Sequence, residues 1–188
     1  MNVILIGFKA SGKTTLGKAL ARLLNRPFID TDRLLEQRYQ EKTGTRQSFR
    51  QIFSLLGDEG FRALESEVLA NLSDKKEAVI ATGGGMAARQ ENISLLKQNG
   101  QVVLIDTPFP TIQKRLSGTS SPLFTGSSVN ELYQRRRPAY LQAADLIFTP
   151  EEQEMPEKLA GALKNLLGHQ SPHEGNLQNI ESEKLCVA

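Results

Sequence analysis

The sequence lacks most of the features that mark secreted, membrane-spanning or nucleic-acid-binding proteins. Its single cysteine, Cys186, can form neither an internal disulfide nor a cysteine metal site. The formal net charge of +2 is too small to indicate a nucleic-acid partner, because polyanion binding needs clustered basic residues. The first apolar run, residues 3–6, is too short for a signal peptide or a membrane span. These absences favour a cytoplasmic protein that binds neither nucleic acid nor membrane.

Apolar runs of strand length alternate along the chain with stretches of helical periodicity. This pattern is typical of a parallel sheet covered by helices. A length of 188 residues, with 39% hydrophobic and 23% charged residues, suits one compact domain. The predicted strands are residues 2–6, 27–30, 78–82, 102–106 and 144–148. We therefore expect an α/β domain with a five-stranded parallel sheet.

Two segments interrupt this alternation. The connection over residues 32–72 is too long for one helix, and Gly44, Gly57 and Gly60 are expected to break it. Connections of this length usually carry function of their own. Residues 117–128 are rich in Gly, Ser and Thr and lie between basic residues, which predicts a mobile flap.

The first predicted strand leads directly into a phosphate-binding loop. Gly7 to Thr14 fits the pattern G-x-x-x-x-G-K-[ST], and an amphipathic helix follows it. Its backbone N–H groups and the helix N-terminus favour phosphates. Lys13 would act in catalysis as a charge on the β/γ oxygens, and Thr14 would offer a hydroxyl to Mg²⁺. A turn with a purely structural role would have little need for this spacing of glycine, lysine and threonine. The predicted ATP-binding residues of the loop are Ala10, Ser11, Gly12, Lys13, Thr14 and Thr15.

Two carboxylates lie at the end of the second predicted strand: Asp30 is its last residue and Asp32 follows two residues later. Ligands of open parallel sheets bind beyond the carboxyl ends of the strands, so both side chains should face the nucleotide cleft. One carboxylate can hold Mg²⁺ through water. Asp32, which lies farther out, can orient an acceptor hydroxyl and take its proton. Asp32 can also N-cap the following helix, and the two roles do not exclude each other.

Bare backbone and basic side chains point to an acceptor that carries hydroxyls and an anionic group. Residues 83–85 are glycines that follow the third predicted strand, where a small molecule can approach the backbone N–H groups closely. Arg62 shares a helix face with Glu65, although this spacing also fits a plain surface ion pair. Arg136 is one of three successive arginines, of which one can face the cleft. Guanidinium groups bind carboxylates and phosphates bidentately.

Taken in order, the segments G-F-K-A-S-G-K-T-T, D-T-D, F-R-A-L-E, A-T-G-G-G and R-R-R-P-A-Y resemble the shikimate kinase family over about residues 1–165. The resemblance implies a P-loop three-layer sandwich, with a helical substrate-binding region over about 31–62 and a lid over about 114–128. It implies transfer of the γ-phosphoryl group of ATP to the 3-hydroxyl of shikimate, with Mg²⁺, in chorismate and aromatic amino-acid biosynthesis. We expect a monomer, with the domain over 1–167 and a polar, aperiodic and therefore disordered tail over 168–188.

The resemblance also implies roles for single residues. Asp32 is similar to the hydroxyl-binding aspartate of the family, and Asp30 to the partner of a Mg²⁺-bound water. Thr14 resembles the Mg²⁺ ligand, Glu65 the residue that steadies the first arginine, and Arg115 an arginine near the adenine. The implied shikimate-binding residues are Asp32, Arg62, Gly83, Gly84 and Arg136.

The sequence departs from the family pattern at the lid. Ser121 stands before Pro-Leu, where the family carries an arginine that reaches the transferring phosphate. A missing arginine removes a charge that stabilises the transition state. Either Lys9, Arg115 or one of residues 135–137 replaces it, or turnover is slow. The connection over residues 34–53 is also longer than usual.

Other functions fit part of the pattern. Another small-molecule kinase of this architecture, acting on gluconate or a nucleoside monophosphate, is one alternative, although a nucleotide acceptor would need a base pocket. A nucleotide-binding regulatory module that binds but barely turns over is a second. The adenine is expected near residues 149–153, without a named contact.

Overall fold

A computed structural model describes residues 1–117, 128–150, 155–168 and 185–187, which form a parallel sheet with helices on both faces. The strands are β1 (Asn2–Ile6), β2 (Phe28–Asp30), β3 (Val79–Ala81), β4 (Gly100–Ile105), β5 (Leu146–Phe148) and β6 (Leu185–Val187). The helices are α1 (Lys13–Leu23), α2 (Thr31–Thr43), α3 (Phe49–Ala70), α4 (Gln90–Asn99), α5 (Phe109–Leu116), α6 (Val129–Ala143) and α7 (Met155–Gly168).

The sheet has the strand order β2-β3-β1-β4-β5-β6, and every pair is parallel. The five strands predicted from the sequence are all present, within a few residues of the predicted bounds. From β1 the chain moves to one side for β2 and β3, then crosses to the other side for β4 and β5. The carboxyl end of β1 therefore lies at the point where ligands bind in such sheets.

The sixth strand differs from the prediction of a disordered tail over residues 168–188. Leu185–Val187 pairs with β5 in parallel register, so the prediction is wrong for this segment. Three residues give no strand pattern of their own, but β5 would otherwise end the sheet with unpaired backbone groups. Residues 169–184 and 188 lie outside the described part of the chain.

Both faces of the sheet are buried, as the continuous apolar sequence of β1 requires. Ile4 and Ile6 pack on the face covered by α2, α3, α4 and α6. Val3 and Leu5 pack on the opposite face, against α1 and α7. All four side chains are 0% exposed, because successive residues of a strand point to opposite faces. This rigid strand carries the phosphate loop at its carboxyl end.

The long connection between β2 and β3 folds as two helices, α2 and α3. Gly44 ends α2 with a φ of 70°, and Gly57 interrupts α3 with a φ of 66° and a ψ of −175°, conformations that favour glycine. The expected break at Gly60 is wrong, because α3 continues through it. The break at Gly57 turns α3 so that Phe49, at its start, and Phe61, after the break, face the same cavity.

Candidate active site

The phosphate loop joins β1 to α1 and curls around the side chain of Lys13. Gly7 (φ 140°) and Gly12 (φ 98°) adopt backbone conformations that favour glycine. Lys13 Nζ donates hydrogen bonds to the carbonyl oxygens of Gly7 (2.9 Å) and Phe8 (2.7 Å). Burial lowers the pKa of Lys13 to about 8, while nearby carboxylates act in the opposite direction. The lysine is held in place before any phosphate binds.

Side chains from the other half of the sheet hold the loop. Thr107, which follows β4, donates from Oγ1 to the carbonyl oxygen of Ser11 at 2.7 Å. Arg115 on α5 donates from Nη1 to the carbonyl oxygen of Ala10 at 3.0 Å. Two side chains from the stretch between the end of β4 and α5 thus fix the loop, which preorganises its N–H groups for an anion.

A cavity of about 560 Å³, the nucleotide cavity, opens over the phosphate loop. Residues 10–16 line it together with Ala19, Arg115, Pro150 and Pro156. This volume lies within the range of pockets that hold drug-sized ligands. Pro150 belongs to the segment expected near the adenine. Pro156 was not predicted, because nothing in the sequence shows that the start of α7 returns to the loop.

The two proposed metal-binding residues lie next to each other. Thr14 Oγ1 donates to Asp30 Oδ2 at 3.3 Å, and Asp30 Oδ1 accepts from the backbone N–H of Asp32 at 3.1 Å. Asp30, not Asp32, therefore caps α2, and the capping alternative for Asp32 is wrong. Among the described residues no group of three or more His, Cys, Asp or Glu could hold a metal. One hydroxyl and one carboxylate nevertheless fit Mg²⁺, which is usually bound with phosphates and waters.

A second cavity of about 180 Å³, the acceptor cavity, lies beside the first. The two cavities share Ala10, Lys13 and Thr14 as a common wall. The acceptor cavity is smaller than pockets for drug-sized ligands, which start near roughly 300 Å³. Its charged lining residues are Lys9, Lys13, Asp30, Asp32, Arg62, Glu65 and Arg136. This lining suits a small, polar and anionic molecule.

Asp32 lies in the acceptor cavity at the start of α2. A Cβ placed on Gly83 would come within 2.8 Å of Asp32 Oδ1, so the carboxylate packs against bare backbone. Burial raises the pKa of Asp32 to about 6, and the negative charges of Asp30 and Glu65 add to this rise. A pKa close to neutrality suits a general base.

Arg62 and Glu65 form a buried ion pair, not the plain surface pair that the spacing also allowed. Their side chains are 13% and 4% exposed, and Arg62 Nη1 lies 2.7 Å from Glu65 Oε2. Arg62 Nε also donates to the exposed Asp58 at 3.1 Å. Burial raises the pKa of Glu65, and Arg62 opposes this rise. The pair fixes the guanidinium at the edge of the acceptor cavity.

The second and third glycines after β3 make room for other residues of the site. A Cβ on Gly84 would lie 3.2 Å from the backbone nitrogen of Lys9, and one on Gly85 would lie 2.5 Å from Arg62 Nη1. We expected these glycines to expose backbone to a ligand, and they do line the cavity. They also let the phosphate loop and the arginine approach.

The three successive arginines of α6 point in different directions. Arg136 lines the acceptor cavity, with Nη1 at 3.4 Å from the carbonyl oxygen of Gly84. Arg137 pairs with Asp106 at 2.6 Å, and Arg135 is exposed. The structure thus brings Arg136 together with Asp32, Arg62 and the glycines, as the sequence predicted.

Comparison with known proteins agrees with this arrangement. The family model described as shikimate kinase matches residues 9–167. The chain belongs to the shikimate kinase family. A curated shikimate kinase of Symbiobacterium thermophilum is 36% identical over 173 residues, which cover 88% of this chain and 96% of that protein.

Two solved structures of shikimate kinases extend the likeness to the fold. The enzyme of Bacteroides thetaiotaomicron has a TM-score of 0.72 at 30% identity and covers 89% of this chain and 98% of its own. The enzyme of Acinetobacter baumannii in complex with shikimate has a TM-score of 0.70 at 33% identity, over 90% and 94%. The predicted family and the P-loop α/β fold are confirmed.

Three residues that line or support the acceptor cavity of this shikimate kinase fold were not predicted from the sequence. Phe49 and Phe61 line the acceptor cavity, and Tyr140 donates to the carbonyl oxygen of Gly84. Phe61 stands beside Arg62 in the sequence, which is a signal for its place, whereas Phe49 lies on the far side of the break in α3. Ser121 and the rest of residues 118–127, to which the lid prediction applies, lie outside the described residues.

Proposed function

We propose that this chain transfers the γ-phosphoryl group of ATP to the 3-hydroxyl of shikimate, giving shikimate 3-phosphate and ADP. The reaction would serve chorismate and aromatic amino-acid biosynthesis. The observation that carries the proposal is the wall of Ala10, Lys13 and Thr14 that the two cavities share. A phosphate bound over this wall faces an acceptor bound beside it.

The lining of the acceptor cavity supports shikimate as the acceptor. Arg62 and Arg136 would bind its carboxylate, because guanidinium groups bind carboxylates bidentately. Gly84 would offer its backbone N–H to a ring hydroxyl, whereas Gly83, whose N–H donates to Thr31 Oγ1 at 2.9 Å, would contact the ring through its bare Cα. Phe61 and its neighbours would pack against the apolar part of the ring. The Acinetobacter relative, which has been solved with shikimate, supports this acceptor.

Asp32 would act as the general base. The 3-hydroxyl oxygen of shikimate forms the new bond to the γ-phosphorus, and the bond from that phosphorus to the β,γ-bridging oxygen breaks. The hydroxyl proton moves to Asp32, and ADP leaves with the electron pair of the broken bond. Lys13 would stabilise the charge that develops on the β and γ oxygens.

Thr14 and Asp30 would hold Mg²⁺, Asp30 through a bound water. When bound, the ion supplies positive charge to the phosphate oxygens. The distance of 3.3 Å between Thr14 Oγ1 and Asp30 Oδ2 supports their joint use by one ion and its water. Arg115 and the prolines Pro150 and Pro156 would surround the base and sugar of ATP.

The proposed function is tested by measuring ADP release from Mg-ATP with shikimate, gluconate, a nucleoside monophosphate or no acceptor. We expect release with shikimate to exceed release with any other acceptor by at least about a hundredfold, since the other acceptors leave buried polar groups unpaired. The variant Lys13→Ala, prepared in the same way, controls for a contaminating kinase.

Other outcomes favour the alternatives. Faster release with gluconate or a nucleoside monophosphate would assign the chain to another small-molecule kinase. Tight ATP binding by calorimetry with no acceptor-dependent release would favour the regulatory module.

We propose that Lys9 supplies the charge that the family lid arginine carries elsewhere. Arg137 is paired with Asp106, Arg115 donates to the phosphate loop, and Arg135 is exposed. Lys9 lies in the acceptor cavity, where burial and the charge of Arg50 lower its pKa while Asp32 raises it. Of the candidate cations that the sequence named, Lys9 and Arg136 line the acceptor cavity, and Arg136 is assigned to the carboxylate of shikimate.

Replacing Lys9 by Met is expected to lower kcat by roughly tenfold to a hundredfold, because a charge on the transferring phosphate is lost. Adding Ser121→Arg to Lys9→Met should restore much of the loss, whereas Ser121→Arg alone should change little. Steady-state kinetics measure all three variants. Lys18→Met, which removes a cation on α1 outside both cavities, is the matched control. A kcat of Lys9→Met within twofold of the unmodified protein would contradict the role.

The proposal also includes the location and the oligomeric state of the protein. Among the described helices, none is long and apolar enough to cross a bilayer. A cytoplasmic monomer, with the substrate-binding region over 31–62 and the lid over 114–128, is part of the proposal. Light scattering of the purified protein tests its oligomeric state.

A further inference from the structure

The carbonyl oxygen of Gly84 accepts hydrogen bonds from two side chains of α6. Tyr140 Oη donates to it at 2.5 Å, and Arg136 Nη1 donates at 3.4 Å. Arg136 and Tyr140 are four residues apart and therefore lie on the same face of the helix. One backbone atom of the acceptor cavity thus connects a proposed substrate-binding arginine with a buried tyrosine.

The two bonds differ in strength. The tyrosine bond is short and its donor is only 2% exposed, whereas the arginine bond is near the limit of hydrogen-bond length. The carbonyl therefore holds Arg136 only weakly, while a hydrogen bond to the Tyr140 side chain keeps its guanidinium beside the cavity, where it can bind an anion. Gly84 is half-buried at the wall of the cavity, and Tyr140 keeps its carbonyl hydrogen-bonded when Arg136 turns away. Burial raises the pKa of Tyr140 to about 12, so its hydroxyl stays a donor at neutral pH.

The position of Gly84 also affects the phosphate loop. A Cβ on Gly84 would lie 3.2 Å from the backbone nitrogen of Lys9 and 3.6 Å from the carbonyl oxygen of Gly7. The Gly84 backbone therefore packs directly on the start of the loop. Gly84 thus lies between α6, which donates to its carbonyl, and the phosphate loop at the wall of the acceptor cavity.

We propose that Tyr140 is a positioning residue for the acceptor: its hydroxyl holds the Gly84 carbonyl, which leaves Arg136 able to bind the carboxylate of the substrate. The inference rests on the proposed function, because that function supplies the carboxylate. Tyr140 itself is not assigned a contact with the substrate. It acts through Gly84 and Arg136.

The test is Tyr140→Phe, which keeps the ring and removes the hydroxyl. Arg136 then becomes the only one of the two donors left to the carbonyl and competes with the substrate. We expect the KM for shikimate to rise about fivefold to tenfold, while kcat and the KM for ATP stay within twofold. Calorimetry of shikimate binding to the ADP-loaded protein should show the same loss without turnover. Tyr133→Phe, which removes a hydroxyl bonded to Arg137 on the same helix, is the control.

A double-mutant cycle separates positioning from a merely structural role. If Tyr140 acts through Arg136, the effect of Tyr140→Phe on the KM for shikimate disappears in an Arg136→Ala background. An effect that persists there, a KM that does not change, or a lower Tm with unchanged KM overturns the inference. Absence of shikimate-dependent ADP release in the unmodified protein is a different result, because it overturns the proposed function and the inference with it.

Discussion

Replacing Asp32 by Asn is expected to lower kcat by about 10²–10⁴-fold, the range that a lost general base produces. The amide keeps the shape of the carboxylate and its packing against Gly83 but cannot take the proton of the acceptor hydroxyl. The KM for ATP should stay within about twofold, because ATP is proposed to bind in the neighbouring nucleotide cavity. Single-turnover and steady-state rates with saturating shikimate measure the effect.

The matched control for Asp32 is Asp58→Asn, which removes an exposed carboxylate on α3 outside the base position. It should leave kcat within about twofold. A kcat of Asp32→Asn close to that of the unmodified protein would remove the general-base role. Loss of ATP affinity without loss of kcat would move Asp32 to the nucleotide site.

The pKa of Asp32, about 6, gives the same prediction a pH dependence. The base must be ionised, so kcat/KM for shikimate should fall about tenfold per pH unit below pH about 6. The stability of the free protein responds with the opposite sign. The pKa of Asp32 in the folded protein exceeds its ordinary value of 3.8, so the folded state favours the protonated carboxyl. The stability that this preference contributes is fully present below pH about 4 and is lost as the pH rises through about 6.

Asp32→Asn should therefore be more stable than the unmodified protein at pH 7.5, by a few °C in Tm, and the gain should shrink at pH 4.5. Thermal unfolding at the two pH values measures this. If the variant were less stable than the unmodified protein at pH 7.5, the ionised carboxylate of Asp32 would not destabilise the folded state.

Replacing Arg62 by Ala is expected to raise the KM for shikimate by about a hundredfold and to lower kcat much less. Each hydrogen bond between charged groups contributes roughly 1.5–3 kcal/mol, which corresponds to about tenfold to a hundredfold in affinity. The carboxylate of shikimate lies away from the reacting hydroxyl, so losing the contact between Arg62 and that carboxylate weakens binding more than it slows the chemical step. Direct titration with shikimate, followed by calorimetry, measures the change.

Because Arg62 is paired with the buried Glu65, Arg62→Ala is expected to change the stability of the protein as well as the binding of shikimate. Without Arg62, Glu65 is a buried carboxylate that has lost its nearest cation, and the variant should unfold more easily. Arg62→Lys keeps a charge and should show a smaller rise in KM, because Lys lacks the planar fork. Asp58→Asn removes only the exposed partner of Arg62 and should leave KM within about twofold. A normal KM in Arg62→Ala with reduced stability would assign Arg62 to folding alone.

Local patterns were enough to predict the phosphate loop and the strands. The spacing of the motif from Gly7 to Thr14 predicts a glycine-containing turn between a strand and a helix. Such a turn depends only on residues that are adjacent in the sequence. The alternation of apolar runs and helical stretches predicts the parallel sheet for the same reason. Asp32 could be predicted because it lies two residues after the end of a strand, and that end must meet the loop.

Other features depend on residues that are far apart in the chain. Gly60 looks like a helix breaker in sequence, but packing around Phe61 and Leu64 keeps the helix intact, and only Gly57 breaks it. Leu185–Val187 finds a partner in β5, which no local pattern indicates. Tertiary contacts outweigh local propensity in both places.

The phosphate-loop motif and the strand pattern were enough to predict nucleotide binding on a P-loop sheet, and the order of the motifs was enough to predict the family. The packing of distant elements was needed to show that Asp30 caps α2, that Asp32 lines the acceptor cavity, and that Arg136 is the one of the three arginines that lines it too. The reason is physical: a motif fixes the backbone around a few adjacent residues. The direction, burial and pKa of a side chain depend on the helices and strands that pack against it.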